Sequence, residues 1–388
     1  MVQRMVCLDR LKVFLTVLVV LHHSSIVYGG SGGWFYYEHQ DDIAANALLS
    51  TFTGVNQTFF MGLFFFVSGY VTPASYDRRG AGRFLKARLY RFGVPLICYM
   101  LLIAPLLRYV SIGYEGSFGE YLRTEVLSNP LRGAIDFSIG PLWYLFALLL
   151  FFAGYIGFRK LAESRGVSKP PVALTFRVTV VYLAAVMVAN FAIRLVFPVG
   201  TEVLNLQLGY FPAYIGLFMA GVAAYRGGWL QQLKETTAKK WKWANIVMIV
   251  LFPAGMAAGG ALDGDVSAFM GGMSWQAVFY AIIDPLLGLG ISYSLLVGFR
   301  DRRNGSATKM THWLSANAFT AFIIHAPIVT YTAFALRDLS WHPLLKFGLV
   351  GCTSVVLSFA ISSLIRESSR VFTKIPLGPR GKVRHSSN

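Results

Sequence analysis

Charge is what this sequence has least of. Only 14% of its residues are charged, against roughly a quarter in soluble domains. Acids are scarcer than bases, 18 Asp and Glu against 35 Lys and Arg. Cysteine is scarce too: Cys7, Cys98 and Cys352 lie far apart, which excludes a disulfide framework and a Cys-based metal site. No repeat recurs at a fixed period and no low-complexity tract interrupts the chain, so solenoids and linker-rich arrays are excluded. What the chain has instead is apolar surface. Hydrophobic residues make up 55% of its 388 positions and aromatics 15%. Such a composition points to lipid as the solvent.

Ten apolar segments of about 20 residues, the length a hydrocarbon core requires, fall at roughly 11–29, 49–71, 92–112, 140–158, 177–197, 208–225, 243–261, 275–297, 313–335 and 344–365. The expected fold is all-α, a polytopic membrane protein with about ten transmembrane helices. Residues 1–373 are expected to form one membrane domain, and 374–388 a basic, disordered cytoplasmic tail. In alternate connections, 29 of the 35 Lys and Arg fall on one side. Arg108, Arg123, Arg132, Arg194, Arg337 and Lys346 fall on the other. Cytoplasmic loops carry the Lys/Arg excess, so both termini are expected in the cytoplasm and the protein in the cytoplasmic (inner) membrane. The net charge of +17 is therefore a topological signal, and nucleic acid is not an expected partner; anionic lipid headgroups are. A cleaved signal peptide is disfavoured by Asp9 before the first apolar run and by His22-His23 at its end. The connection 110–139 is the longest on the outer side and is expected to cover an outward-facing site.

Ionisable groups within spans mark function, and this chain has few. Lys12 and His23 are eleven residues apart on the first helix. That is three turns plus about 20°, so they share a face, roughly 16 Å apart along the axis. Imidazole titrates near neutrality and can take and return a proton. Asp284 is the only acid expected within a span. It is a candidate to orient His23 or His325, as a carboxylate orients an imidazole in hydrolytic triads; the plainer alternative is a cap at a helix break before Pro285. His325 lies about twelve residues into its span, and its plainer alternative is a packing hydrogen bond. The three polar groups share a depth and are expected to meet. Arg88 and Arg91 are three apart and thus neighbours on one helical face. Their planar forks suit phosphate oxygens. No His, Cys or acid spacing suggests a metal.

Several of these segments resemble a family. Leu8-Asp9-Arg10-Leu11-Lys12, followed by ten residues and His23, is similar to the first helix of the acyltransferase 3 family of integral membrane O-acyltransferases, with Lys12 where that family usually has Arg. The run Phe59–Tyr70 ends in Ser68-Gly69 as the family's second helix does, and Arg88-Leu89-Tyr90-Arg91-Phe92-Gly93-Val94-Pro95 resembles the start of its third. Gly140-Pro141-Leu142-Trp143-Tyr144-Leu145 resembles its Leu-Trp-Phe/Tyr-Leu motif. Ser315 to Pro327 resembles its Ser-x-x-x-Tyr-x-x-Tyr-hydrophobic-hydrophobic-His-x-Pro signature, with Phe319 and Phe322 in place of the tyrosines.

The resemblance implies acyl transfer from acyl-coenzyme A, acetyl or succinyl, to a hydroxyl of a cell-envelope glycan, glycolipid or related acceptor. No permanently bound cofactor is expected, and acyl-coenzyme A is the donor substrate. His23 is implied as general base, with Asp284 and His325 beside it. Lys12, Arg88 and Arg91 are implied at the donor phosphates, and Trp143, with Gly140 and Pro141, at the acceptor. Partner proteins of envelope biosynthesis are further expected partners. The rival from another class is a transporter of a glycan or lipid-linked intermediate, which would also have many spans and mid-membrane polar groups. The two halves of the sequence show no internal symmetry of the kind many transporters have.

Overall fold

The computed structural model describes residues 6–39, 41–127, 138–166, 171–301 and 308–374. Ten helices in these segments are long and apolar enough to cross a membrane. They are α1 (Val6–Val27), α2 (Ile43–Arg79), α3 (Ala81–Ser111), α4 (Gly140–Ser164), α5 (Phe176–Arg194), α6 (Leu208–Gly227), α7 (Glu235–Ala258), α8 (Trp275–Asp301), α9 (Lys309–Ala335) and α10 (Pro343–Ser368). Among the described residues there is no β-strand, only one isolated bridge between Val203 and Leu206. The all-α polytopic fold is as the hydropathy pattern predicts. The tail expected at 374–388 lies outside the described residues except for Lys374, where the helix of α10 ends. Residues 128–137 of the expected covering connection also lie outside them.

The helices outrun the apolar segments. α2 extends for 37 residues from its Asp42 cap, whose carboxylate accepts from the Ala45 amide. The amide bond and the His342 imidazole, 3.0 Å away, hold the Asp42 carboxyl below its usual range. At the other end α2 carries Asp77, Arg78 and Arg79 beyond the expected end near 71. Hydropathy registers the thickness of hydrocarbon, whereas the backbone stays helical wherever its own hydrogen bonds continue. α3 starts about ten residues before the apolar run and contains two π-helical turns, Leu89–Gly93 and Tyr99–Ile103.

α2 is the central pillar. Gly69 lies against the Phe218 carbonyl of α6, Gly221 of α6 against the Phe66 carbonyl, and Gly288 of α8 against the Thr58 carbonyl. A Cβ at any of the three would overlap backbone. Small residues let helix backbones approach closely where no hydrophobic force draws helices together. Ser68-Gly69, noted in the sequence as a motif, is thus in part a packing device. α5 and α7 are peripheral and display Val181, Val188, Val247 and Val250 outward. The three cysteines are free, Cys98 and Cys352 on exposed positions.

Candidate active site

α1 runs from one end of the bundle, called here the N-terminal end, and delivers His22 and His23 near the other, the far end. His23 and His325 of α9 meet there: His325 Nε2 and His23 Nδ1 are 3.0 Å apart. The protons can be assigned from the partners. His325 Nδ1 faces the Phe322 carbonyl, which only accepts, so Nδ1 carries hydrogen. In a neutral ring Nε2 of His325 is then an acceptor, and His23 Nδ1–H donates to it. Nε2 of His23 is left with the lone pair. On this assignment Nε2 of His23 is the accepting end of the pair.

A loop that sequence reasoning did not single out completes this centre. Trp34 stacks on His23 with ring centroids 4.2 Å apart and planes 21° apart, and lies 6.0 Å from the His325 ring at 27°. His22 is buried, edge-on to His23 at 5.3 Å and against Phe60. The loop is tied down by a buried ion pair. Lys346, 1% exposed, donates to Glu38 at 2.5 Å and to the Arg337 carbonyl at 3.3 Å. Its ammonium lies 5.9 Å from the Tyr28 ring centroid. Burial, aided by the Glu38 charge, pushes the Tyr28 phenol above its ordinary range and keeps it neutral there. Lys346, expected among the loop cations, is therefore an internal anchor; charge counting locates a residue along the chain but not its depth in the fold.

His23 lines a cavity of about 1240 Å³ at the far end. Trp34, Phe35, Phe60, Trp143, Tyr210, Tyr214 and Tyr280 give it aromatic walls. Asn46, Gln57, Asn205 and Gln207 supply amides, and Arg108 and Glu202 supply charge. Trp143 is stacked on Tyr214 at 5.5 Å, and Gln57 donates to the Tyr214 hydroxyl at 3.0 Å. Gly140 and Pro141, candidates from the sequence, also line it. Gly140 has φ +44°, and a Cβ there would stand 3.0 Å from both Phe35 Cζ and Tyr99 Oη. On the rim, Leu204 and Asn205 hold left-handed φ of 52° and 60°, in a tight turn closed by reciprocal 3.0 Å bonds between Val203 and Leu206. Left-handed backbone at a leucine is strained, and such strain clusters at ligand sites.

Asp284 corrects the sequence expectation. It does not join the histidines but pairs with Arg194 at the end of α5, Nη2 to Oδ2, 2.6 Å, with both side chains at most 5% exposed. Arg194 Nε also donates to the Gly209 carbonyl at 3.0 Å, and its guanidinium lies 4.7 Å from the Tyr280 and 5.4 Å from the Tyr210 ring centroids. A carboxylate in this setting is stable only beside a cation, and Arg194 supplies it. α8 is unbroken through Pro285, so Asp284 caps no break either. The pair stands behind Tyr210 and Tyr280, whose hydroxyls are 3.2 Å apart, and thereby buttresses a wall of the same cavity.

The basic candidates lie toward the N-terminal end. Lys12 is bonded to Asp9 at 2.7 Å. Arg88 stacks over Phe84, Phe92 and Phe152 at 5.0, 5.9 and 4.9 Å. Arg91 stacks over Phe319 at 5.0 Å and Phe92 at 5.8 Å. Each aromatic cradle orients a guanidinium without using up its hydrogen-bond donors. The sequence expected the three cations together; the structure gives Lys12 its own acid and stacks the arginines on rings. Phe319, Phe322 and His325 follow at three-residue spacing on α9, about 9 Å from first to last, so an aromatic lane leads from Arg91 to the imidazole pair. Tyr144 borders it, bonded to Ser68 at 2.9 Å and to the Phe64 carbonyl at 3.1 Å, with its ring 5.7 Å from Phe322.

Ten apolar spans enclosing a hydrogen-bonded histidine pair at a large aromatic cavity describe a multi-pass membrane protein with a candidate site inside the bundle. A family model for an acyltransferase domain matches residues 5–363. The chain belongs to the acyltransferase 3 family and is a membrane acyltransferase. No curated protein and no solved structure matches it.

Proposed function

We propose that this protein moves an acyl group, acetyl in the simplest case and succinyl as a variant, from acyl-coenzyme A to a hydroxyl of a cell-envelope glycan or glycolipid. The observation that carries this is the His23–His325 pair, with a lone-pair nitrogen left on His23, at the wall of the far-end cavity. The acceptor occupies the cavity. Aromatic faces with amides between them suit the apolar faces and hydroxyl edges of sugar rings, and about 1240 Å³ exceeds the usual 300–1,000 Å³ of small-ligand pockets, which favours an oligosaccharide or lipid-linked sugar. With the Lys/Arg-rich end in the cytoplasm, the donor arrives from the N-terminal end of the bundle and the acceptor from the other side of the inner membrane. Arg88 and Arg91, joined by Lys12 when it leaves Asp9, hold the donor phosphates. The pantetheine arm follows the lane past Phe319 and Phe322.

His23 Nε2 takes the proton of the acceptor hydroxyl as that oxygen attacks the thioester carbonyl. The new C–O bond forms, the C–S bond breaks, and the departing thiolate takes the proton from His23. His325 holds the ring in the tautomer this requires. The test is acyl-ester analysis of envelope glycans and lipids from cells with the native protein, with His23→Ala at equal membrane level, or with neither. An ester present only with the native protein supports the proposal and names the acceptor. Equal ester with His23→Ala contradicts it.

A further inference from the structure

The base in this centre must become a cation while it works, and it is poorly placed to do so. His23 sits among neutral groups inside a span. The titratable groups in ring contact with it are His22 on its own helix and His325 on α9, and neither supplies negative charge. Asp284, the one acid expected beside it, is bound to Arg194. The Val19 carbonyl accepts from the His23 ring and favours the imidazolium; a further group has to add to it.

We infer that Trp34 does so: its indole face, stacked 4.2 Å from the His23 ring at 21°, is a positioning residue that fixes the plane of His23 and stabilises the charge His23 gains when it takes the acceptor proton. Indole has the most negative face of the natural aromatic side chains, and its attraction for a cation grows when water is excluded. Trp34 is half-buried, and its loop is fastened by Glu38 to Lys346, so the stack is preorganised. The orientation is also selective. Trp34 approaches His23 over the ring face, so the in-plane bond to His325 and the lone pair on Nε2 are untouched. His325 lies farther from the indole, at 6.0 Å, so the benefit falls on the ring with the free nitrogen.

The kinetic side of this inference rests on the acyl-transfer proposal above; its titration side does not. The experiment replaces Trp34 in the full-length, detergent-solubilised protein by tryptophans carrying one to several ring fluorines, which weaken the negative face without changing ring size much. Trp34→Leu serves as the end point. The His23 midpoint is followed by NMR of isotope-labelled histidine, assigned with His23→Gln, and acyl transfer is measured on the same samples. The expected result is a midpoint that falls stepwise with each fluorine and a kcat that falls with it. At Trp34→Leu the loss reaches about five- to thirtyfold with little change in donor KM. A midpoint indifferent to fluorination overturns the inference, whatever the activity does. A falling midpoint in a protein that transfers no acyl group leaves Trp34 acting on His23 and removes the acyl-transfer proposal instead. A falling midpoint with an unchanged kcat overturns the catalytic role given to the stack.

Discussion

Among the described residues, two polar pairs that each join two spans invite comparison, one proposed as a reaction centre and the other acting as a brace. His23–His325 joins α1 to α9; Arg194–Asp284 joins α5 to α8. Both are intramembrane ionisable groups, and both are suspects for function on that ground alone. They differ in saturation and access. The acid of the second pair is neutralised, its cation is also bonded to the Gly209 carbonyl and flanked by two tyrosine rings, and neither side chain is more than 5% exposed. The first pair carries no fixed charge, ends in a nitrogen with a free lone pair, and borders a large cavity. Expense in the membrane marks a residue as important; only an unsatisfied atom beside open space marks it as reactive.

The comparison breaks most visibly if one partner of the ion pair is removed. Asp284→Ala or Arg194→Ala leaves a buried charge alone and should cost about 3–5 kcal/mol, read as a collapse in folded yield and thermal midpoint. The double replacement Arg194→Met with Asp284→Leu should recover most of that loss, since a buried ion pair replaced by well-packed apolar residues is often neutral. Recovery of fold without recovery of transfer would move the pair from brace to chemistry. Next in size is His325→Ala. With nothing to hold the His23 tautomer, transfer should drop by roughly 10²-fold while folded yield stays near native, the reverse of the Asp284 pattern.

The cations proposed to hold the donor phosphates sharpen the contrast further. Arg88→Leu and Arg91→Leu should each raise the donor KM about tenfold, the worth of one charge-assisted hydrogen bond, with kcat little changed. Lys12→Ala should do less, under about fivefold, because Lys12 already spends its charge on Asp9 in a partly exposed pair of small net value. A Lys12 effect larger than that of either arginine would put the phosphates on α1 and not on α3.

Most of the fold was legible, because span length and hydropathy are physical constraints of the bilayer. The helix ends were not: Asp77 and Arg78 continue α2 in polar surroundings that hydropathy scores as loop. Within the site, the meeting of His23 and His325 could be foreseen from their matching depth. Depth says nothing about azimuth, so the same argument wrongly brought Asp284 to them. Arg194 went unrecognised as its partner because it stands at the edge of an apolar segment, where a cation reads as a topology signal. Trp34 left no periodic trace at all. It is on an irregular loop, and what makes it important is a stacking contact that only the folded chain creates.

The most direct measurement is kcat for acyl transfer by purified protein, comparing His23→Ala with the Arg194→Met/Asp284→Leu double replacement at equal folded amounts. The expected result is a loss of about 10²–10⁴-fold for His23→Ala and a rate within roughly tenfold of native for the double replacement. A folded His23→Ala protein that transfers at the native rate, or a folded double replacement that is as dead as His23→Ala is predicted to be, would contradict it.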